Sequence, residues 1–183
     1  TKDDPFIIET ADQLYLALTK ITGTTSTTGD LAVETAESVA GGTQTSRILK
    51  QGSTTVYVPV YTPYYYKVAD GMEAFYLNNV YGKETLDGAK AMGASSTKKD
   101  WKPGKSFVGY LDGNGVTIYG MYCSGGQGLV YKLDGSSSIK NFNFDSCYTS
   151  GSGNVAIVTT LLGRYTNVTT IINIANISVC NSY

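Results

Sequence analysis

The stretch FVGYLDGNGVTIYGMYC, residues 107–123, carries apolar alternation on both sides of Asp-Gly-Asn-Gly. Asp-Gly and Asn-Gly supply the positive-φ positions that two-residue hairpin loops need. The same glycines also suit a corner between strands that do not double back. The rest of the chain decides between the two.

Self-similarity favours the corner. FVGYLDG at 107–113, LVYKLDG at 129–135 and IVTTLLG at 157–163 share an apolar first residue, Leu at the fifth place and Gly at the seventh, at offsets of 22 and 28 residues. A second block follows each: IYGMYC at 118–123, IKNFNF at 139–144 and IANISV at 174–179, apolar at the first, fourth and sixth places with Gly or Asn at the third. Two blocks recurring in one order are what a solenoid with coils of ~20–30 residues produces, because each coil lays matching strands on the one before. An antiparallel meander or sandwich, which also joins short strands with Gly turns, is the alternative. The solenoid reading stacks Phe107, Leu129 and Ile157 in parallel register, and likewise Ile118, Ile139 and Ile174. It sets Gly113, Gly135 and Gly163 at one bend and Gly120, Asn141 and Asn176 at another, where Asn amides can hydrogen-bond along the axis.

Upstream, Thr10 and Gln13 have capping-box spacing, and Leu14, Ala17, Leu18 and Ile21 follow at the helical period, which predicts a short amphipathic helix. A Thr/Gly/Ser linker spans 22–29, and DLAVETAESVAGG reads as a weaker second helix with Asp30 as N-cap and Gly41 past its end. TSRILKQGSTTVYVPVYTPYYYKVADG alternates around Gln51-Gly52 and contains Pro59 and Pro63, the pattern of a hairpin insertion. Residues 81–106 have no sustained period and read as a surface excursion returning at Trp101.

The stretch WKPGKSFVGYLDGNGVTIYGMYC, followed by GLVYKLDGSSSIKNFNF, resembles the Gly-Leu-x-Gly type repeats of right-handed parallel β-helices in bacterial cell-surface and secreted proteins. FIIETADQLYLAL resembles the helix that caps such solenoids. The likeness covers residues 5–21 and about 101–145; Val116 departs from it, standing where many relatives carry His, as does an extra loop at Arg164–Ile172. The expected fold class is thus all-β: a right-handed parallel β-helix (solenoid) segment with an N-terminal helical cap and a β-hairpin insertion. One domain spans 1–183, with the cap and linker at 1–45, the Tyr-rich insertion and surface excursion at 46–100, and about three β-helix coils at 101–183. The last block ends without a polar cap, so the reading makes the chain part of a longer surface protein or one that pairs through that end.

Composition narrows the chemistry. Charged residues are 16% of the chain, the net charge is -1, and no Lys/Arg run supplies a footprint for nucleic acid or anionic lipid. No apolar run reaches the ~20 residues that span a bilayer. Localisation is expected to be extracellular or at the cell surface, as the resemblance implies. With no histidine, Ser-His-Asp and Cys-His nucleophiles and the usual zinc sites drop out. Cys123, Cys147 and Cys180 read as small apolar residues rather than a disulfide framework. No cofactor is expected; DGNG at 112–115 and GGQGLVYKL at 125–133 leave calcium as an unspecific alternative, each lacking a ligand its motif needs.

Carbohydrate binding or adhesion without turnover is the function expected, with a polysaccharide or another surface protein as partner. The candidate ligand-binding residues are Tyr57, Tyr61, Tyr64, Tyr65 and Tyr66, because flat aromatic faces flanked by hydroxyls suit sugar rings or a protein surface. The enzymatic alternative is a polysaccharide hydrolase or lyase using Asp112 and Asp134. If those acids are equivalent in adjacent coils they lie ~5 Å apart, a retaining separation, whereas as Asp-Gly turn residues they only accept backbone hydrogen bonds. A purely structural stalk is the third reading.

Overall fold

The computed structural model describes residues 1–19, 21–23, 39–51, 54–77, 101, 106–163 and 171–182. The chain is mostly strand, with parallel sheets and one short helix. It begins with β1 (Phe6–Ile8), α1 (Ala11–Thr19) and β2 (Ile21–Gly23). The helix starts where the capping box requires: the Gln13 N–H donates to Thr10 Oγ1 at 3.2 Å, and the Thr10 N–H donates to Gln13 Oε1 at 3.2 Å. Ala11, Leu14 and Leu18 face the core, and α1 lies against β1 and β3 (Val39–Ala40). Ile21, expected on the helix face, belongs to β2, which pairs antiparallel with β3. The weaker helix expected at 30–42 ends in strand instead, at Val39–Ala40, and residues 30–38 lie outside the described residues.

The insertion is a hairpin. β4 (Gly42–Gln51) and β5 (Thr54–Pro63) pair antiparallel from Gln51 opposite Thr54 to Gly42 opposite Pro63. Each is an edge, as Pro59 and Pro63 require. The insertion ends at Pro63, earlier than expected. β6 (Tyr65–Val68) already belongs to the main sheet, and β7 (Ala74–Tyr76) follows it. The surface excursion falls outside the described residues from 81 to 100; Trp101 is buried, and its Nε1–H donates to the Leu129 carbonyl at 2.9 Å.

From there the chain runs through β8 (Ser106–Phe107), β9 (Tyr110–Asp112), β10 (Thr117–Tyr119), β11 (Tyr122–Cys123), β12 (Lys132–Leu133), β13 (Ser138–Asp145), β14 (Tyr148–Thr149), β15 (Leu161–Leu162) and β16 (Asn173–Cys180). Four parallel ladders result. The first runs β1-β6-β9-β13-β16 and the second β7-β10-β13-β16, with β13 and β16 bent across both. The third joins β11 to β14, and the fourth runs β3-β8-β12-β15.

The opening stretch therefore turns a corner. Leu111 pairs with Tyr66 and Ile139, and Ile118 with Phe75 and Phe144, all in parallel. Between them the Val116 N–H donates to the Gly113 carbonyl at 2.9 Å around Asn114 (φ 53) and Gly115 (φ 84), the positive-φ pair of a type I′ turn. The local signal is that of a hairpin turn, yet the flanking strands pair with other strands. Gly113 is needed for space, since a Cβ there would fall 2.5 Å from the Asn141 carbonyl oxygen and 2.6 Å from the Phe142 ring.

The register differs from the expected one. Phe107 stacks on Leu133 and Leu162, not Leu129; Ile139 stacks on Leu111 and Ile174; and Ile118 stacks on Phe144 and Val179, not Ile139. The two Asp-Gly pairs sit at different corners and for different reasons: Asp112 ends β9 and Gly113 is required for space, whereas Asp134-Gly135 follows β12 and Gly135 takes a positive φ of 58. Aligning them shifts the repeat from 26–28 residues to 22. The bends are corrected accordingly. Asn141 (φ 59) and Asn176 (φ 52) share one, with Asn176 Nδ2 donating to Asn141 Oδ1 at 2.8 Å as an axial amide contact. Gly120 (φ 67) shares the next with Ser146 (φ 55) and Asn181 (φ 48). Inside, the columns of Leu111 and Ile139, Ile118 and Phe144, and Phe107 and Leu133 form one core with Trp101, Leu14 and Leu18. Cys123 and Cys147 are buried within it, and Cys180 is exposed; none of the three forms a disulfide. Burial pushes the Cys147 thiol up to about 11.

Candidate functional site

Alternation along the first ladder decides which side chains reach its outer face. In β6, Val68 and Tyr66 turn toward the core while Tyr65 and Lys67 turn outward. The parallel register continues these outward positions into two columns. One runs Tyr65, Tyr110, Ser138, Asn173; the other runs Lys67, Asp112, Lys140, Ala175. They line a groove of about 620 Å³, edged by Lys2 and Pro5 at one end and by Ser136, Ser137 and Ile171 at the other.

The tyrosine column begins with a stacked pair. The Tyr65 and Tyr110 rings lie 4.7 Å apart between centroids and 20° from parallel, which is the spacing of the strands that carry them. Two more axial pairs form for the same reason, Tyr76 with Tyr119 at 5.2 Å and Tyr122 with Tyr148 at 5.4 Å. In such pairs one face of each ring is already covered by its neighbour. Burial, then the adjacent Tyr65, raises the Tyr110 phenol above its ordinary value, so it is a hydrogen-bond donor at neutral pH.

The charged column is knitted together. Lys140 Nζ lies 3.0 Å from Asp112 Oδ2, and Asp112 Oδ1 accepts from the Asn114 N–H at 2.9 Å and from Asn141 Nδ2 at 2.8 Å. Lys67 pairs with Asp70 at 2.6 Å, which also accepts from Asn114 Nδ2 at 2.8 Å. Desolvation alone would raise the Asp112 carboxyl, but the Asn141 amide, the Asn114 N–H and Lys140 together outweigh it and hold the group below its ordinary value. The resulting stability is present above the unfolded value of ~3.9 and lost as pH falls through the folded one. Asp112→Asn is therefore expected to be less stable than wild type at pH 7, with the gap closing toward pH 2.5. Urea midpoints at both pH values test this, and a gap that stays constant would show that the charge contributes nothing.

Asp134 is elsewhere. Its N–H donates to the Phe107 carbonyl, which places it beside Val108 on the fourth ladder's side of the chain, whereas Asp112 stands opposite Lys140. The two carboxylates are not neighbours in register, and the expected ~5 Å pair does not form. Asp134 is fully buried: its Oδ1 accepts from the Gly135 N–H at 3.0 Å, and its Oδ2 forms an ion pair with Lys132 Nζ at 2.8 Å. Both acids behave as corner residues. Among the described residues no three His, Cys, Asp or Glu side chains converge as a metal site requires.

The five expected tyrosines separate. Tyr65 faces the groove. Tyr66 also borders it but is half-buried between Phe6, at 5.5 Å, and Phe107, at 6.3 Å, and burial followed by Tyr64 pushes its phenol up to about 12. The Tyr64 ring lies against Phe6 at 5.9 Å. Tyr57 and Tyr61 lie in β5, and their side chains fall outside the described residues. Tyr110, Ser138 and Asn173 went unnoticed in the sequence, because their meeting depends on pairings between segments separated by loops of unequal length. Searches of protein-family models, curated proteins and solved structures return no match to the chain.

Proposed function

We propose that the ladders are successive coils of a right-handed parallel β-helix belonging to an extracellular surface protein, and that the groove on its first face binds carbohydrate without turning it over. The ladders support the solenoid reading: strands β8 to β11 and then β12 to β14 visit the faces in one order. The binding reading rests on one observation. In the groove the outward ring of Tyr110, stacked on Tyr65 at 4.7 Å, shares the lining with Lys140 and Asn173. A sugar ring offers such a lining both a C–H face for the tyrosine and hydroxyls for the polar side chains beside it. The separation of Asp112 from Asp134 speaks against the hydrolase reading, which needs paired carboxylates.

The test combines pull-down on plant and microbial polysaccharides with assays for reducing and unsaturated ends. Wild type is expected to bind at least one glycan and release nothing, and Tyr110→Ala to weaken that binding about tenfold, the equivalent of ~1.4 kcal/mol. Release of sugar ends that Asp112→Asn abolishes would replace this reading with the enzymatic one. No glycan binding at all would leave a protein partner or a structural stalk.

A further inference from the structure

Of the three axial tyrosine pairs, Tyr65 and Tyr110 lie closest, with centroids 4.7 Å apart against 5.2 and 5.4 Å for the others. They stand opposite each other in the parallel register of β6 and β9, so both side chains leave the same face of one ladder. With the rings 20° from parallel, each ring carbon faces its counterpart at one strand spacing, ~5 Å. Both rings are partly exposed and line the groove, where a dissolved oxidant reaches them. No Cys, Met or Trp stands among the described residues that line it, and Tyr66, the third tyrosine there, turns inward between Phe6 and Phe107. A radical formed on Tyr110 therefore has Tyr65 stacked on it and no groove-lining thiol or thioether, the groups that oxidise most readily, to draw it away.

We infer that Tyr65 and Tyr110 form a site of oxidative cross-linking, joined through their ortho carbons as dityrosine when hydrogen peroxide and a haem peroxidase act on the protein. Each phenol gives up one electron and its hydroxyl proton to become a phenoxyl radical. The two radicals then form one carbon–carbon bond. The C–H bond at each joined carbon breaks as its proton moves to the oxygen of the same ring, which restores both phenols. The two electrons and two protons released break the O–O bond of one peroxide and convert it to two waters. The new bond ties β6 to β9 covalently, and this chemistry holds whether or not the groove binds carbohydrate.

The test oxidises dilute protein with peroxide and a haem peroxidase, then reads dityrosine fluorescence and sequences the linked peptides by fragment-ion mass spectrometry. A monomeric product is expected in which the Tyr65–Tyr110 link is the most abundant dityrosine. Tyr65→Phe and Tyr110→Phe each keep a ring in the stack, and circular dichroism should show them folded as wild type. Each should nevertheless lose that link completely, whereas Tyr119→Phe should retain it. Unfolding the wild type in urea before oxidation should remove the preference for this pair, because the stack that creates it is gone. Absence of the Tyr65–Tyr110 link from the folded, oxidised protein overturns the site. So does a product in which another pair predominates, or one in which prior unfolding leaves the link equally abundant.

Discussion

The Leu14→Asp variant is expected to be unfolded or aggregated at neutral pH, and Leu16→Asp to fold normally. The two residues are neighbours on α1 with opposite environments: Leu14 is fully buried and Leu16 is 54% exposed. A carboxylate at position 14 would be enclosed with Ala11, Leu18 and the strands beneath α1, with no cation in that apolar cluster. An uncompensated buried charge costs about 3–5 kcal/mol or more, comparable with the whole stability of a domain. Size-exclusion chromatography and thermal melts of both variants check it. A soluble Leu14→Asp protein that melts cooperatively near the wild-type midpoint would refute the packing of Leu14 in the core.

Trp101→Ala is expected to cost about 3–5 kcal/mol, the range for deleting a large buried aromatic. Trp101 is fully enclosed, packs edge-on against Tyr15 with centroids 5.3 Å apart, and donates to the Leu129 carbonyl. It thus ties the helix to the loop before β12. Trp101→Phe should separate the two contributions: most of the packing survives and the indole hydrogen bond does not, for a loss of about 1–3 kcal/mol with a carbonyl left unpaired. Urea unfolding of the two variants gives both numbers. An alanine variant within 1 kcal/mol of wild type would refute the packing assigned to this side chain.

What could be read from the sequence was chemistry that acts over a few residues. The capping box at Thr10 and Gln13, the hairpin around Gln51-Gly52 and the left-handed positions at Gly120, Asn141 and Asn176 all depend on local backbone preference, and each is realised. Register is nonlocal, and there the reading slipped. Asp112-Gly113 and Asp134-Gly135 meet different needs at different corners, close approach at Gly113 and positive φ at Gly135, so likeness of sequence stood in for equivalence of place. The end of the Tyr-rich insertion was missed for the same cause. Nothing within TPYYYKV marks where a free hairpin stops and a strand of the main sheet begins; that is fixed by Tyr65 meeting Tyr110, 45 residues later.

The unequal loop lengths between paired strands also bear on how the chain finds its fold. Thr117 and Asn143 are 26 residues apart, Tyr65 and Tyr110 are 45, and Phe6 and Tyr66 are 60. Closing the longest of these loops costs about 0.7 kcal/mol more entropy than closing the shortest. Among the parallel pairings, the meeting of β9, β10 and β13 is one of the cheapest to close, and it also gathers Leu111, Ile118, Ile139, Phe142 and Phe144 into one apolar cluster. Growth from that nucleus would add strands outward in both directions, with α1 and β1 docking last. Because every one of these contacts spans dozens of residues, folding should be slow for a chain of this size, on the milliseconds-to-seconds scale of proteins built from distant pairings.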